Sequence, residues 1–345
     1  LRMSRGLGDV YKRQYQCRTG DAHNCQHLKI YGISCDGCFA EYATAPANCC
    51  FVLPEAVSYE QGALFEPAGV AMFGLREANV RAGDVVMIYG CGPIGQMAIQ
   101  LALASGATVI GVDINDYKAG LASKLGAIGV NSTKDDLHEI VKKTCGERGG
   151  VDVIIEVSGA GAIYDDMADY LRKEGKIMLL AHPGERVSFD IMKTMHHSGA
   201  TIKGIFGRRI WDTWYALSDM VASGKVDLTR VITHRFPLSA ANEAFEQISA
   251  GAGKVIFLPE QDPAVRDVVA VRSVPLWQTY SARALYSLLF LCLLPALLIL
   301  CMGFLRSQVT PDLWLDAVSS SLLLGGLGAL SYLSLIHISE PTRHA

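Results

Sequence analysis

Asp84-Val-Val-Met-Ile-Tyr-Gly-Cys-Gly-Pro-Ile-Gly-Gln96, continued by Val109-Ile-Gly-Val-Asp113, is the stretch whose reading decides the fold. An apolar run ends in a glycine turn, a helix-compatible segment follows, and a second apolar run closes on an acid. This is the pattern of a strand, a phosphate-binding turn, a helix and a second parallel strand. In that pattern Gly90 permits the tight turn, Gly92 lets backbone approach a pyrophosphate, and Gly95 allows the helix to pack close to the sheet. The free N–H groups at the helix start face the phosphates. Asp113 stands 18 residues after Gly95, at the end of the second strand. A carboxylate there accepts the ribose hydroxyls of NAD and repels the 2′-phosphate of NADP.

Outward from this unit, strand and helix patterns alternate. Stretches at Val85–Tyr89, Thr108–Val112, Val151–Val157 and Lys176–Leu180 read as strands. Helical patterns at Gly95–Ser105, Tyr117–Leu125, Leu137–Lys143 and Tyr164–Leu171 lie between or before them. Such alternation predicts an α/β, doubly wound parallel sheet of Rossmann type with helices on both faces. A further strand is expected at Thr201–Phe206, a helix at Trp211–Ala222, then Ile232–Phe236, Ala240–Ser249 and Lys254–Phe257 as strand, helix and strand. Upstream, residues 58–80 read as helix interrupted at Pro67, and the alternation in Cys38–Thr44 suits a half-buried strand.

Composition sets few bounds. The formal charge of −3 over 345 residues gives no sign of a nucleic-acid partner, and ten cysteines favour a reducing, cytoplasmic setting with metal-bound or buried thiols. Both ends are unusual. Arg2–Gln14 and Leu333–Ala345 are equally long and can be encoded as in-frame reverse complements, so both resemble a translated transposase linker and are set aside from the fold. Residues 1–14 and 333–345 are therefore read as artefact, and the native start as missing. Ala284–Leu305 is uncharged for 22 residues, about 33 Å as a helix, enough to span a bilayer. A native apolar helical tail over 262–332 would make the chain a membrane-tethered nucleotide-binding module. The favoured expectation is that this stretch is foreign and that the native product ends near Gln261.

Taken together, the nucleotide unit, Gly37-Cys-Phe-Ala-Glu-Tyr42, Phe65-Glu-Pro67, Lys203-Gly-Ile-Phe-Gly-Arg208 and Ile232-Thr-His-Arg-Phe236 resemble the zinc-dependent medium-chain dehydrogenases over residues 17–258. The last two phrases resemble the threonine-oxidising branch more narrowly. The resemblance implies NAD and zinc as cofactors, a small alcohol or amino-acid substrate, and a homo-oligomer extended through the strand near Thr201–Phe206. It also implies remnants of a GroES-like β-barrel catalytic domain over 15–57, a nucleotide domain over 58–206, and a return to the catalytic domain over 207–261. Oxidation of L-threonine to 2-amino-3-oxobutanoate is the expected reaction, with a polyol or another alcohol as the alternative substrate.

The same resemblance assigns residues. It places Glu66 beside the catalytic zinc as an outer ligand or proton relay, although Glu66 read alone is a solvated acid near a helix end. The family's other catalytic zinc ligands belong to sequence that this chain lacks, so the chain itself is expected to be inactive. Cys17 and Cys25 match the last two positions of a structural zinc lobe, whose first two fall at Tyr11 and Gln14. Spacing alone leaves open a four-thiolate site of Cys17, Cys25, Cys35 and Cys38. For the cofactor, the resemblance adds Ile94 after the glycine turn, Lys118 near the adenosine, and Leu180-Ala181-His182 with Ile205-Phe206 along the nicotinamide side. His182 stands where the family has an aliphatic residue. Cys49, Cys50 and Cys91 read as buried small residues, and the adjacent His196 and His197 as surface.

Overall fold

A computed structural model describes residues 15–40, 43–45, 49–249 and 251–258, all within one unit of the chain, Leu1–Val268. The linker-like ends and the apolar run therefore lie outside the described residues. After a single turn, α1 (Tyr15–Arg18), an irregular segment leads to α2 (Tyr59–Ala63) and α3 (Phe65–Glu77). A Rossmann core follows: β1 (Val85–Tyr89), α4 (Pro93–Ala104), β2 (Thr108–Asp113), α5 (Asp116–Leu125), β3 (Ile128–Asn131), α6 (Leu137–Cys145), β4 (Val151–Glu156), α7 (Ile163–Asp166), β5 (Leu171–Leu179) and β6 (Thr201–Gly204). The chain continues through α8 (Ile210–Ala222), β7 (Ile232–Phe236), α9 (Ala241–Ser249) and β8 (Lys254–Phe257).

The main sheet runs in the order β3-β2-β1-β4-β5-β6, and every pairing in it is parallel. Order 3-2-1 followed by 4-5-6 reverses direction between β1 and β4, which opens a crevice at the carboxyl ends of those two strands. Residues within β1 show why the sheet is buried on both sides. Val86 and Ile88 enter the core under α3, α4 and α8, whereas Val85, Met87 and Tyr89 enter the opposite core with α6 and α7. A period of two thus sends alternate side chains into two separate apolar layers, so the strand reads as a continuous hydrophobic run.

Helix boundaries follow local chemistry. Ser58 and Gln61 form a reciprocal capping box at α2, Asn115 caps α5 by accepting from the amides of Tyr117 and Lys118, and Gly126 ends that helix in the left-handed region at φ 105°. The expected interruption at Pro67 is displaced. The break falls at Leu64, and Pro67 sits in the first turn of α3, where its missing N–H leaves no intrahelical bond unmade.

Two other expectations change. Instead of a helix to Leu171, α7 is one turn continued by a 3-10 turn over Met167–Tyr170. The strand β5 then begins at Leu171 rather than Lys176, and its register on β4 shifts between Val151 and Val153. Glu174 takes φ 59° at that irregularity and donates its amide to the Ser198 carbonyl at 2.7 Å. The Cys38–Thr44 stretch forms no strand in its described residues. A strand needs a neighbour for its backbone groups, and among the described residues of this segment the one bridge is Tyr31 with Cys35.

Residues after Phe206 are tied to the Rossmann core. Leu217, Val221, Leu228, Val231 and Ile256 share the α3–α4 layer, the Trp214 indole N–H donates to the Phe65 carbonyl at 3.0 Å, and Arg235 makes a bidentate pair with Glu60 at 2.7 and 2.8 Å. Among the described residues, no helix is long and apolar enough to cross a membrane.

Candidate dinucleotide site

The expected cofactor residues converge on the carboxyl edge of the sheet because the parallel ladder continues past the strand ends. Gly90 N–H donates to the Val112 carbonyl at 2.8 Å, Val157 N–H to Tyr89 at 2.9 Å, Leu180 N–H to Glu156 at 2.8 Å and Ile205 N–H to Leu179 at 2.8 Å. Each loop is thereby stitched to the exit of the strand beside it.

Within the glycine turn the three glycines do different physical work. Gly90 has φ +94°, and a Cβ there would come to 3.0 Å from the Ser158 amide nitrogen. At Gly95 a Cβ would lie 1.8 Å from the Gly90 carbonyl oxygen, so α4 could not sit where it does with any other residue. A Cβ on Gly92 would meet nothing within 4 Å. Gly92 is therefore dispensable for packing and faces open space at the start of α4, where orphan amides can receive a pyrophosphate. Ile94 follows in the first turn of α4 and packs part-buried against the core.

Asp113 ends β2 with its carboxylate drawn over this turn. One oxygen accepts from the Cys91 amide at 2.9 Å and the other from the Asn115 amide at 3.0 Å. Two backbone donors hold the acid in place while leaving it partly exposed, as a ribose-binding group requires. Cys91 is fully buried beneath it; burial first, then the Asp113 charge, pushes its thiol up to about 12. It stays a neutral packing residue, in line with the sequence reading. Lys118 is half-buried in the first turn of α5, with its amide on the Asn115 side chain.

At the other half of the crevice, Leu180 is buried, Ala181 half-buried, and His182 exposed with its carbonyl 3.1 Å from where a Cβ on Gly159 would stand. Ile205 is buried and Phe206 is 53% exposed, so an apolar ring faces outward beside the crevice. Sequence reasoning missed Glu156. This carboxylate is fully buried at the end of β4 and accepts from the Ser158 amide, the Ser158 hydroxyl, the Gly159 amide and the Tyr164 hydroxyl. Its one sequence signal is an acid directly after the apolar run Val153–Ile155.

The metal expectations fare differently. Glu66 lies in the first turn of α3 and pairs with Arg208 at 2.6 Å. Arg208 itself sits over the Trp214 ring, 5.7 Å from its centroid. Cys25 is buried, Cys17 partly so, and Cys35 and Cys38 are exposed. Among the described residues no group of three His, Cys, Asp or Glu side chains could hold a metal ion. The four-thiolate arrangement is thus not assembled, because the irregular segment spreads those thiols between interior and surface. The residues present do not fit a zinc ion on their own. His196 and His197 are both exposed.

Comparison with known proteins agrees with this geometry. Residues 93–223 match the family model described as zinc-binding dehydrogenase. L-threonine 3-dehydrogenase of Bacillus velezensis is 37% identical over 246 residues, 70% of this chain and 71% of that protein. The enzyme of the same name from Pyrococcus abyssi is 38% identical over 250 residues, 71% of each. Among solved structures, a zinc-binding dehydrogenase of Sinorhizobium meliloti 1021 bound to NADP superposes with a TM-score of 0.63 at 30% identity, covering 72% of this chain and 73% of that one. The 2R,3R-butanediol dehydrogenase of Bacillus subtilis gives 0.56 at 29% identity, covering 61% of this chain and 60% of that chain. With such identity sustained over more than two thirds of the threonine enzymes, this chain belongs to the zinc-dependent medium-chain dehydrogenases.

Proposed function

We propose that this chain is the cofactor-binding part of an NAD-dependent oxidoreductase of secondary alcohols, whose substrate is L-threonine and whose product is 2-amino-3-oxobutanoate, acting in a reducing, cytoplasmic setting. Asp113 carries the cofactor reading: a carboxylate pinned by two backbone amides at the end of β2, facing the open side of the glycine turn. The threonine reading is supported by the names of the relatives and by the Lys203–Arg208 and Ile232–Phe236 phrases.

This chain's own residues would bind the dinucleotide across the crevice. The open face at Gly92 and the first amides of α4 take the pyrophosphate, and Asp113 accepts the hydroxyls of the adenosine ribose. The strand exits at Leu180–His182 and Ile205–Phe206 line the other mononucleotide. When bound, NAD supplies the hydride acceptor.

The cofactor reading is tested by isothermal titration of the full chain. Wild type is expected to bind NAD more tightly than NADP, and Asp113→Ala to narrow that preference by roughly tenfold or more, through loss of a charge-assisted ribose contact and of repulsion toward a 2′-phosphate. Tighter NADP binding by wild type would show that Asp113 does not read the ribose.

A further inference from the structure

Glu156 is a buried anion that the cofactor reading leaves unused. Its side chain is completely sealed from solvent. Oε1 accepts from the Ser158 amide at 2.6 Å, the Ser158 hydroxyl at 2.7 Å and the Gly159 amide at 2.8 Å, while Oε2 accepts from the Tyr164 hydroxyl at 3.2 Å. All four contacts are donated to the carboxylate oxygens by Ser158, Gly159 and Tyr164, the pattern an acceptor-only carboxylate needs. Burial and the neighbouring Glu156 charge accordingly raise the Tyr164 phenol to about 12, so it remains a donor.

Position gives this anion a second consequence. The Glu156 carbonyl accepts the amides of Leu180 and Ala181. Its side chain shapes the Ser158–Gly159 turn, which abuts Gly90 on one side and His182 on the other. With Asp113 at the end of β2 marking the adenosine half, the second mononucleotide of a 3-2-1-4-5-6 sheet lies over the exits of β4, β5 and β6. Glu156 therefore sits beneath the half that carries the nicotinamide. That ring is cationic when oxidised and neutral when reduced, and a charge shielded from solvent acts on the difference between them.

Resting on the dinucleotide reading above, we propose that Glu156 is a positioning residue of the cofactor site, which holds the β4-exit turn against Gly90 and favours the oxidised, cationic nicotinamide over the reduced one. A merely structural carboxylate would affect both forms of the cofactor alike, because they share the adenosine and pyrophosphate.

The test is titration of the full chain with NAD and with NADH, in wild type, Glu156→Gln and Glu156→Asp. Glutamine keeps the Oε1 acceptor, and its amide can donate to the Tyr164 oxygen, so the turn survives while the charge is lost. Glu156→Gln is expected to weaken NAD relative to NADH by about five- to tenfold, the order expected for one buried unit charge at intermediate distance. Glu156→Asp is expected to retain most of the wild-type ratio. Should Glu156→Gln fail to fold, Ser158→Lys at an exposed position sets a cation beside the same carboxylate and is expected to shift the ratio in the same direction. Equal changes for NAD and NADH in the variant that folds would overturn the proposal while leaving the dinucleotide reading intact. Failure of wild type to bind either form would overturn both.

Discussion

Gly95→Ala is expected to lower nucleotide affinity by at least about 100-fold and to destabilise the chain by roughly 2–4 kcal/mol. The cause is steric: the added Cβ would stand 1.8 Å from the Gly90 oxygen and 2.9 Å from its carbonyl carbon, and both are backbone atoms that cannot rotate away. Relief requires α4 to withdraw from the sheet, which moves its N-terminal amides off the phosphate position. Gly92→Ala provides the control. Its Cβ would meet no protein atom within 4 Å, so thermal stability should stay near wild type while nucleotide binding falls. Calorimetric melting and titration of the two variants separate the roles; equal melting losses at Gly92 and Gly95 would refute the division between packing and ligand approach.

The second large effect is expected at the opposite edge of the sheet. Asp152 is buried at the amino end of β4, where its carboxylate accepts from the Val85 amide at 2.8 Å, Arg172 at 2.6 Å and Arg148 at 2.9 Å. Burial pushes the carboxyl pKa up, but the Val85 amide and the two guanidinium groups outweigh it and hold the group below the ordinary carboxylate range. Asp152→Ala leaves a buried amide and two cations without their acceptor and is expected to cost about 2–4 kcal/mol. For a domain of this size that is a melting-temperature loss of roughly 5–15 °C. Nucleotide affinity should be unchanged, because the latch lies at the far ends of the strands from the glycine turn. Since the folded pKa is below the unfolded one, the stabilisation is complete above about pH 4 and fades as pH falls through the folded value. The gap between wild type and variant in thermal melts should therefore narrow as pH is taken from 7 toward 3. A constant gap across that range would show that the loss comes from packing rather than from the ionised carboxylate.

The two edges illustrate how the work is divided in this fold. Asp152 is locked by charge at the amino ends of β1, β4 and β5, which secures the sheet. At the carboxyl ends, Asp113 and Glu156 are held mainly by backbone amides and hydroxyls, and no salt bridge engages either acid among the described residues. An acid without a counter-cation keeps its charge available to a ligand, whereas Asp152 has spent its charge within the protein.

Local patterning by itself determined the parallel α/β core. Val85–Tyr89, Ile232–Phe236 and Lys254–Phe257 form strands over the residues read as strands, because burial on both faces or on one leaves a hydrophobic signature along the chain. The glycine spacing and Asp113 were legible for the same reason: turn, approach and acceptor all lie within one contiguous strand-helix-strand unit. Tertiary structure alone decided the rest. Pro67 lies in the first turn of a helix rather than breaking one, and the described residues of Cys38–Thr44 form no strand, since both outcomes depend on which neighbours are present. Glu66 pairs with Arg208, a residue far along the chain that no local pattern could have named. Glu156 became a sealed anion through a turn that folds back from Ser158 and a tyrosine from α7. Pattern reaches as far as residues whose chemistry is shared with their sequence neighbours; an ion pair or a buried carboxylate is defined by donors that only the folded chain brings within 3 Å or so.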